Sequence, residues 1–326
     1  MGSCRASHSP GETSVSGLGE DVGVVTVHVE GIPERRLHRS GPVALAAKAF
    51  GAIPPPALVL LGVVSVQIGA AVAKQLFTLA GAAGTVTLRL VLAAAILLVV
   101  WRPSLRLDRR TYAVILGYGL VLGAMNLSFY QAIKHIPLGA AVTIEFLGPL
   151  AVAVIGSRRW LDGVWALLAA AGVLLLTRVD GGLALPGVLF AAGAGVCWAG
   201  YILLTAALGS RTSDGKGLAL AMVVGAAVAL PFGVAEAGTM LLDPVVLVAG
   251  GAVALLSSVI PYSLELEALR KIPPRVFGIL MSLEPAVAAL AGLVLLHEAL
   301  HPAQWVAVFC VVLASVGATR TAGPDV

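Results

Sequence analysis

Glu145 stands alone in VTIEFLGPLAVAV, residues 142–154, four residues before Pro149. In a long apolar helix a mid-bilayer charge costs ~2.5–3.5 kcal/mol and a proline about 3 kcal/mol, so both ask for a reason. A second acid, Glu284, directly precedes Pro285 in another apolar run. Acids in such places carry protons or hold cationic groups inside a wet cavity. The plainer readings are a neutral carboxyl that joins helices and, for Glu284, a bond to a backbone group freed by the proline. Asn126 and Tyr130, at i and i+4 and preceded by Gly123, give one narrow small-and-polar face. Ser258, Tyr262 and Glu265 give another, Gln67 and Lys74 share a third, and Arg89 lies in the next apolar run. An amide, phenols, carboxyls and cations are what the ammonium and carboxylate of a zwitterion need, and helix–helix hydrogen bonding uses the same groups.

One further pattern has its own chemistry. HEALH, His297 to His301, matches H-E-x-x-H, in which two histidines one turn apart hold zinc and the glutamate activates water. The only acid or histidine after His301 is Asp325, and Pro302 starts a new helix at once, so the segment reads as a helix end; an intramembrane zinc protease is the remote alternative. There is no glycine-rich phosphate loop ending in Lys-Ser/Thr, so nothing supports ATP-driven chemistry. No metal, no cofactor and no enzymatic activity are expected.

These residues need elements to position them, and composition says which kind. Of 326 residues, 59 % are hydrophobic and 12 % charged, with a mean hydropathy of +0.97. Apolar runs of about 18 or more residues recur, the mark of membrane-spanning helices. The spacing predicts ten: 57–78, 84–101, 111–133, 137–156, 162–178, 185–207, 217–236, 244–268, 274–296 and 302–319. Alternate loops differ in charge. One set holds Arg102, Arg106, Arg109, Arg110, Arg158, Arg159, Arg211, Lys216, Arg270, Lys271 and Arg275; the other holds Lys134 and Arg178. The basic set belongs in the cytoplasm, with both termini inside. The basic pI of 9.1 therefore reflects membrane topology and not a nucleic-acid partner. Lys74 and Arg89 then lie toward the outer side, where pairing or snorkelling is the expected role and binding of a substrate carboxylate the alternative. Cys197 and Cys310 read as packing residues.

AIKHIPLGAAVTIEFLGP from Ala132 and ALRKIPPRVFGILMSLEP from Ala268 are related by a constant offset of 136, which pairs Pro137 with Pro273, Pro149 with Pro285 and Asn126 with Tyr262. Five helices per half put the second half in from the opposite side. The expected fold is an all-α polytopic membrane protein of ten transmembrane helices as two inverted five-helix repeats, residues 55–180 and 181–320. Residues 1–54 and 321–326 are expected to be cytoplasmic tails. The first is rich in Gly and Ser and lacks a signal peptide; its Met-Gly start is a weak myristoylation match.

In order and spacing, SVQIGAAVAKQLF (65–77), TLRLVLAAAIL (87–97), GAMNLSFYQAIKHIPLGAAVTIEFLGPLAVAV (123–154) and IPYSLELEALRKIPPRVFGILMSLEPAVAALAGLVLLHEAL (260–300) resemble the EamA-type branch of the drug/metabolite transporter superfamily. Within it the chain is similar to the bacterial threonine/homoserine exporters. The resemblance implies a central cavity between two repeats, and export of small amino acids across the inner membrane by alternating access with proton antiport. Expected partners are an amino acid, protons and the bilayer; oligomeric state is left open, and a same-fold exporter of another metabolite or a drug is the rival reading. The substrate and proton pathway is expected along Glu145, Glu284, Asn126, Tyr130, Tyr262, Glu265, Gln67, Lys74 and Arg89, with helix breaks at Pro149 and Pro285. One departure is clear: the family commonly has Gly-Glu near the end of the ninth helix, and here His297 precedes Glu298.

Overall fold

The structure is a computed structural model; it describes residues 53–103, 105–155, 160–178, 183–209, 216–269, 271–272 and 274–321. The expected N-terminal tail and several of the basic loop residues lie outside these. Helices account for the fold, and no strand occurs among the described residues: α1 Pro55–Trp101, α2 Arg109–His135, α3 Leu138–Glu145, α4 Leu147–Ile155, α5 Trp160–Arg178, α6 Leu185–Gly209, α7 Lys216–Ala237, α8 Pro244–Ala254, α9 Ile260–Leu269, α10 Pro274–Met281, α11 Glu284–Leu296 and α12 Pro302–Thr321. Seven helical stretches are long and apolar enough to cross a membrane, and Leu138–Val152 and Gly163–Leu176 are shorter apolar helices.

Four of the expected spans differ in form, at three places and each for a local reason. The first two run together as α1, whose 47 residues would extend about 70 Å, over twice the hydrocarbon thickness. The helix turns at Gly81, with φ 67° and ψ 176°. Glycine is required there on two counts: φ lies in the left-handed region, and a Cβ would meet the Glu236 carboxyl at 2.4 Å. Glu236 Oε2 accepts from the Ala83 amide at 2.5 Å, satisfying a donor the kink leaves without a helical partner. The expected span 137–156 is two helices, because Pro149 has no N–H to bond the Glu145 carbonyl and α3 ends at that residue. The span 274–296 is likewise divided at Ser282 and Leu283, just ahead of Pro285.

The other junctions follow capping rules. Asp108 accepts from the Arg110 and Thr111 amides at the start of α2, and Asp243 from Val245 and Val246 at the start of α8. The Thr111 hydroxyl bonds Asp108 as well, and these bonds hold its carboxyl below the usual carboxylate range. Leu255–Val259 form a single π turn between α8 and α9. Helix α2 lies close on α7, since a Cβ on Gly119 would meet the Ala221 carbonyl at 2.5 Å. Gly123 does the same against the Gly225 carbonyl at 3.0 Å, so both glycines serve close helix packing.

Candidate functional site

The kinked α1, the broken α3–α4 and α10–α11 pairs and the π turn surround one cavity of about 500 Å³. Its wall is mainly apolar, with Trp198, Phe129 and Phe277 among the lining residues. Into it face Gln67, Arg89, Asn126, Glu145, Tyr262, Glu265 and Glu284, seven of the nine residues expected along the pathway. Both acids next to the helix breaks are only 7 % exposed. Glu145 is the last residue of α3, and Gly195 of α6 packs against its carbonyl, where a Cβ would lie 2.8 Å from the oxygen.

Arg89 corrects an expectation. It does not snorkel; it is 8 % exposed and lines the cavity. Its guanidinium is held from behind by Nε to Ser258 Oγ at 3.1 Å, by one terminal nitrogen to the Ser257 carbonyl at 2.9 Å, and by the other to the Tyr130 hydroxyl at 3.4 Å. The Tyr130 ring lies 5.6 Å from the guanidinium carbon, a cation–π contact. The π turn supplies two of these partners, and the neighbouring Leu256 carbonyl accepts from Ser65 Oγ at 2.7 Å. No carboxylate pairs with Arg89 among the described residues.

Tyr130 is fully buried and absent from the cavity wall, and it contacts Arg89 from behind. Asn126 lines the cavity, but its Nδ2 already donates to the Leu122 carbonyl at 2.9 Å. Glu284 is not occupied by a backbone group freed at Pro285: its Oε1 accepts from Gln67 Nε2 at 3.1 Å. Tyr201 and Ser257 are cavity residues that sequence reading missed, because a lone tyrosine in GYILL and a serine beside Ser258 carry no periodic signal.

Lys74 is paired, one of the two roles expected of it. It lies outside the cavity wall, and its Nζ contacts Glu298 Oε1 at 2.5 Å and donates to the Ile136 carbonyl at 3.1 Å. Glu298 Oε2 accepts from the Leu138 amide at 2.7 Å. The glutamate of the HEALH segment is therefore committed through both oxygens, to a lysine and to the start of α3, and not to activating water. His301 accepts from the Ala303 amide at 3.3 Å, capping α12. His297 ends α11 with φ 56°, a left-handed position that suits the glycine the family commonly places there. Lys134 pairs with Glu236 Oε1 at 3.2 Å, joining the end of α2 to the Gly81 turn.

Residues 185–320 match the model of the EamA-like transporter family. The threonine/homoserine exporter RhtA of Escherichia coli (strain K12) is 42 % identical over 275 residues, covering 82 % of this chain and 92 % of that protein. The chain belongs to the EamA-like transporter family. A second relative of this EamA transporter, the threonine/homoserine exporter RhtA of Salmonella typhimurium (strain LT2), is also 42 % identical, over 271 residues with the same coverage. One crystal structure aligns over 86 % of the chain and 92 % of its own at 21 % identity and a TM-score of 0.45. This EamA protein is thus a multi-pass membrane transporter with a mainly apolar cavity, lined by a few polar side chains, bounded by its broken helices.

Proposed function

We propose that the protein exports small amino acids of the threonine/homoserine type across the bacterial inner membrane, by alternating access coupled to proton entry. The observation that carries this reading is the coexistence in one apolar cavity of a fixed cation, Arg89, with the carboxyls of Glu145, Glu284 and Glu265. A zwitterion needs both signs, and a proton-coupled cycle needs a carboxyl that loads and releases a proton. The two relatives at 42 % identity are named for threonine and homoserine export, which supports the cargo class. Transport, not an enzymatic reaction, is the activity.

The ten-helix inverted repeat is part of the same reading. Counting the two legs of α1 separately, and counting α3–α4, α8–α9 and α10–α11 as one span each, gives ten. The Asp108 and Asp243 caps open helices at matching places in the two halves, and Pro149 and Pro285 follow the two breaks. With both termini cytoplasmic, the Lys74–Glu298 and Lys134–Glu236 pairs lie at the outer end and hold it closed.

The test is efflux of radiolabelled threonine and homoserine from cells lacking their own exporters. Expression should speed efflux, and Glu145→Gln should abolish it while the protein still inserts at normal levels. Unchanged efflux across an amino-acid panel would remove the cargo assignment, and normal efflux by Glu145→Gln would reduce Glu145 to a structural residue.

A further inference from the structure

Four buried side-chain polar atoms lack a hydrogen-bond partner among the described residues, and three of them belong to cavity residues: Gln67 Oε1, Glu284 Oε2 and Ser257 Oγ. The side chains are 1 %, 7 % and 2 % exposed, so bulk water does not serve them. A buried polar group without a partner is costly, and three around one cavity point to a ligand that completes them. Gln67 spends one of its two amide N–H groups on Glu284 Oε1 at 3.1 Å. The acceptors left without a partner, Gln67 Oε1 and Glu284 Oε2, suit a donor-rich cationic group.

A second pole stands nearby. Arg89 has five N–H groups, of which three are used on Ser258, Ser257 and Tyr130. Two remain on a buried cation with no carboxylate partner among the described residues. Ser257 is shared between the two: its carbonyl holds Arg89, and its unpartnered Oγ belongs to a residue lining the same cavity as Gln67 and Glu284.

We infer that the Gln67–Glu284 pair is the subsite for the ammonium group of the cargo and Arg89 the subsite for its carboxylate, with Ser257 Oγ between them for a further polar group. The inference rests on the amino-acid export reading and divides its labour. Glu284, fixed by its amide partner, holds the cargo, whereas Glu145, on the other broken helix, has no such amide partner among the described residues and is left to the proton. Recognition is then of the α-amino acid group itself, and side-chain size is sorted by the apolar wall.

Equilibrium binding to the purified full-length protein tests this, with radiolabelled L-threonine as probe and two competitors. One is threonine with its amine replaced by hydroxyl; the other is the amino alcohol lacking the carboxylate. On wild-type protein each competitor should bind at least about 30-fold more weakly than L-threonine, as expected for losing a charge-assisted hydrogen-bonded partner. Glu284→Gln should weaken L-threonine by a similar factor and leave the deaminated competitor within about threefold, whereas Arg89→Gln should spare the amino alcohol instead. A deaminated competitor as strong as L-threonine on wild-type protein overturns the ammonium subsite without any variant having to fold, and leaves the pair to a proton or inorganic cation. Equal losses of both competitors in both variants overturn the division into poles. Should the wild type neither bind nor export any amino acid, the export reading itself falls.

Discussion

Glu298→Gln is the perturbation whose cost the structure fixes best. Glu298 has two separate tasks, and the substitution removes one of them. Its Oε1 contacts Lys74 Nζ at 2.5 Å, with the two side chains 17 % and 21 % exposed, so the pair is largely but not wholly withdrawn from solvent. Deleting one partner of a fully buried pair costs about 3–5 kcal/mol, whereas an exposed pair is worth less than about 1 kcal/mol. The intermediate burial here sets an expectation of about 2 kcal/mol, mostly the cost of leaving Lys74 without its anion. The amide keeps an oxygen for the Leu138 N–H, so Glu298→Ala should cost about 1 kcal/mol more. In detergent, Glu298→Gln should lower the melting temperature by about 4–8 °C, with Ala lower still. Lys74→Met combined with Glu298→Gln should cost clearly less than the two singles added, since no charge is then stranded. Additive singles, or a Glu298→Gln protein as stable as wild type, would refute the ion pair as the tie between α1, α3 and the end of α11. The zinc reading makes the opposite forecast, of unchanged stability and bound metal lost with His297.

Three further outcomes follow from single positions. His297 sits at φ 56°, where a side chain costs about 1 kcal/mol relative to glycine, so His297→Gly should raise the melting temperature by about 2–4 °C; no rise would mean that the imidazole has a compensating bond. A Cβ on Gly148 would lie 2.0 Å from the Gly195 carbonyl, so Gly148→Ala must push α4 from α6 and should cost about 1–3 kcal/mol along with efflux, which a thermal shift and the efflux assay together would check. Asp108 has its carboxyl lowered by the Thr111 hydroxyl and by the first amides of α2. Its cap is therefore fully present above the ordinary carboxylate value and is lost as pH falls through the lowered one. The stability gap between wild type and Asp108→Ala should be flat from neutral pH down to about 5 and close at lower pH.

The helical character and the helix end at His297 were legible because hydropathy and proline act locally, as were breaks near Pro149 and Pro285. The Asp108 and Asp243 caps are just as local, but the sequence reading did not single them out. What could not be read was pairing across the chain. Glu236 serves the Ala83 amide 153 residues away, and Glu298 serves Lys74 over 224 residues, and neither acid looks different in sequence from a loop residue. Arg89 was misjudged because snorkelling is available to any long cation near a helix end. Its burial depends on the π turn bringing Ser257 and Ser258 against it, and such a turn leaves no mark in an apolar run.

The two acids beside the breaks show how a near-symmetric scaffold can hold an asymmetric site. With the offset of 136, Pro149 meets Pro285 while Glu145 and Glu284 stay three residues out of register. Three residues decide on which side of the break each acid falls. Glu145 is the last residue of α3, at the end where peptide carbonyls point outward; Glu284 is the first of α11, at the end where amides do. The helix dipoles therefore present fields of opposite sign to two carboxyls facing one cavity. Gln67 adds a donor to Glu284 alone. The backbone thus makes the two acids inequivalent before any cargo arrives, and Glu145→Gln and Glu284→Gln should fail differently. The first should lose proton-driven export while still binding L-threonine, and the second should lose the binding itself.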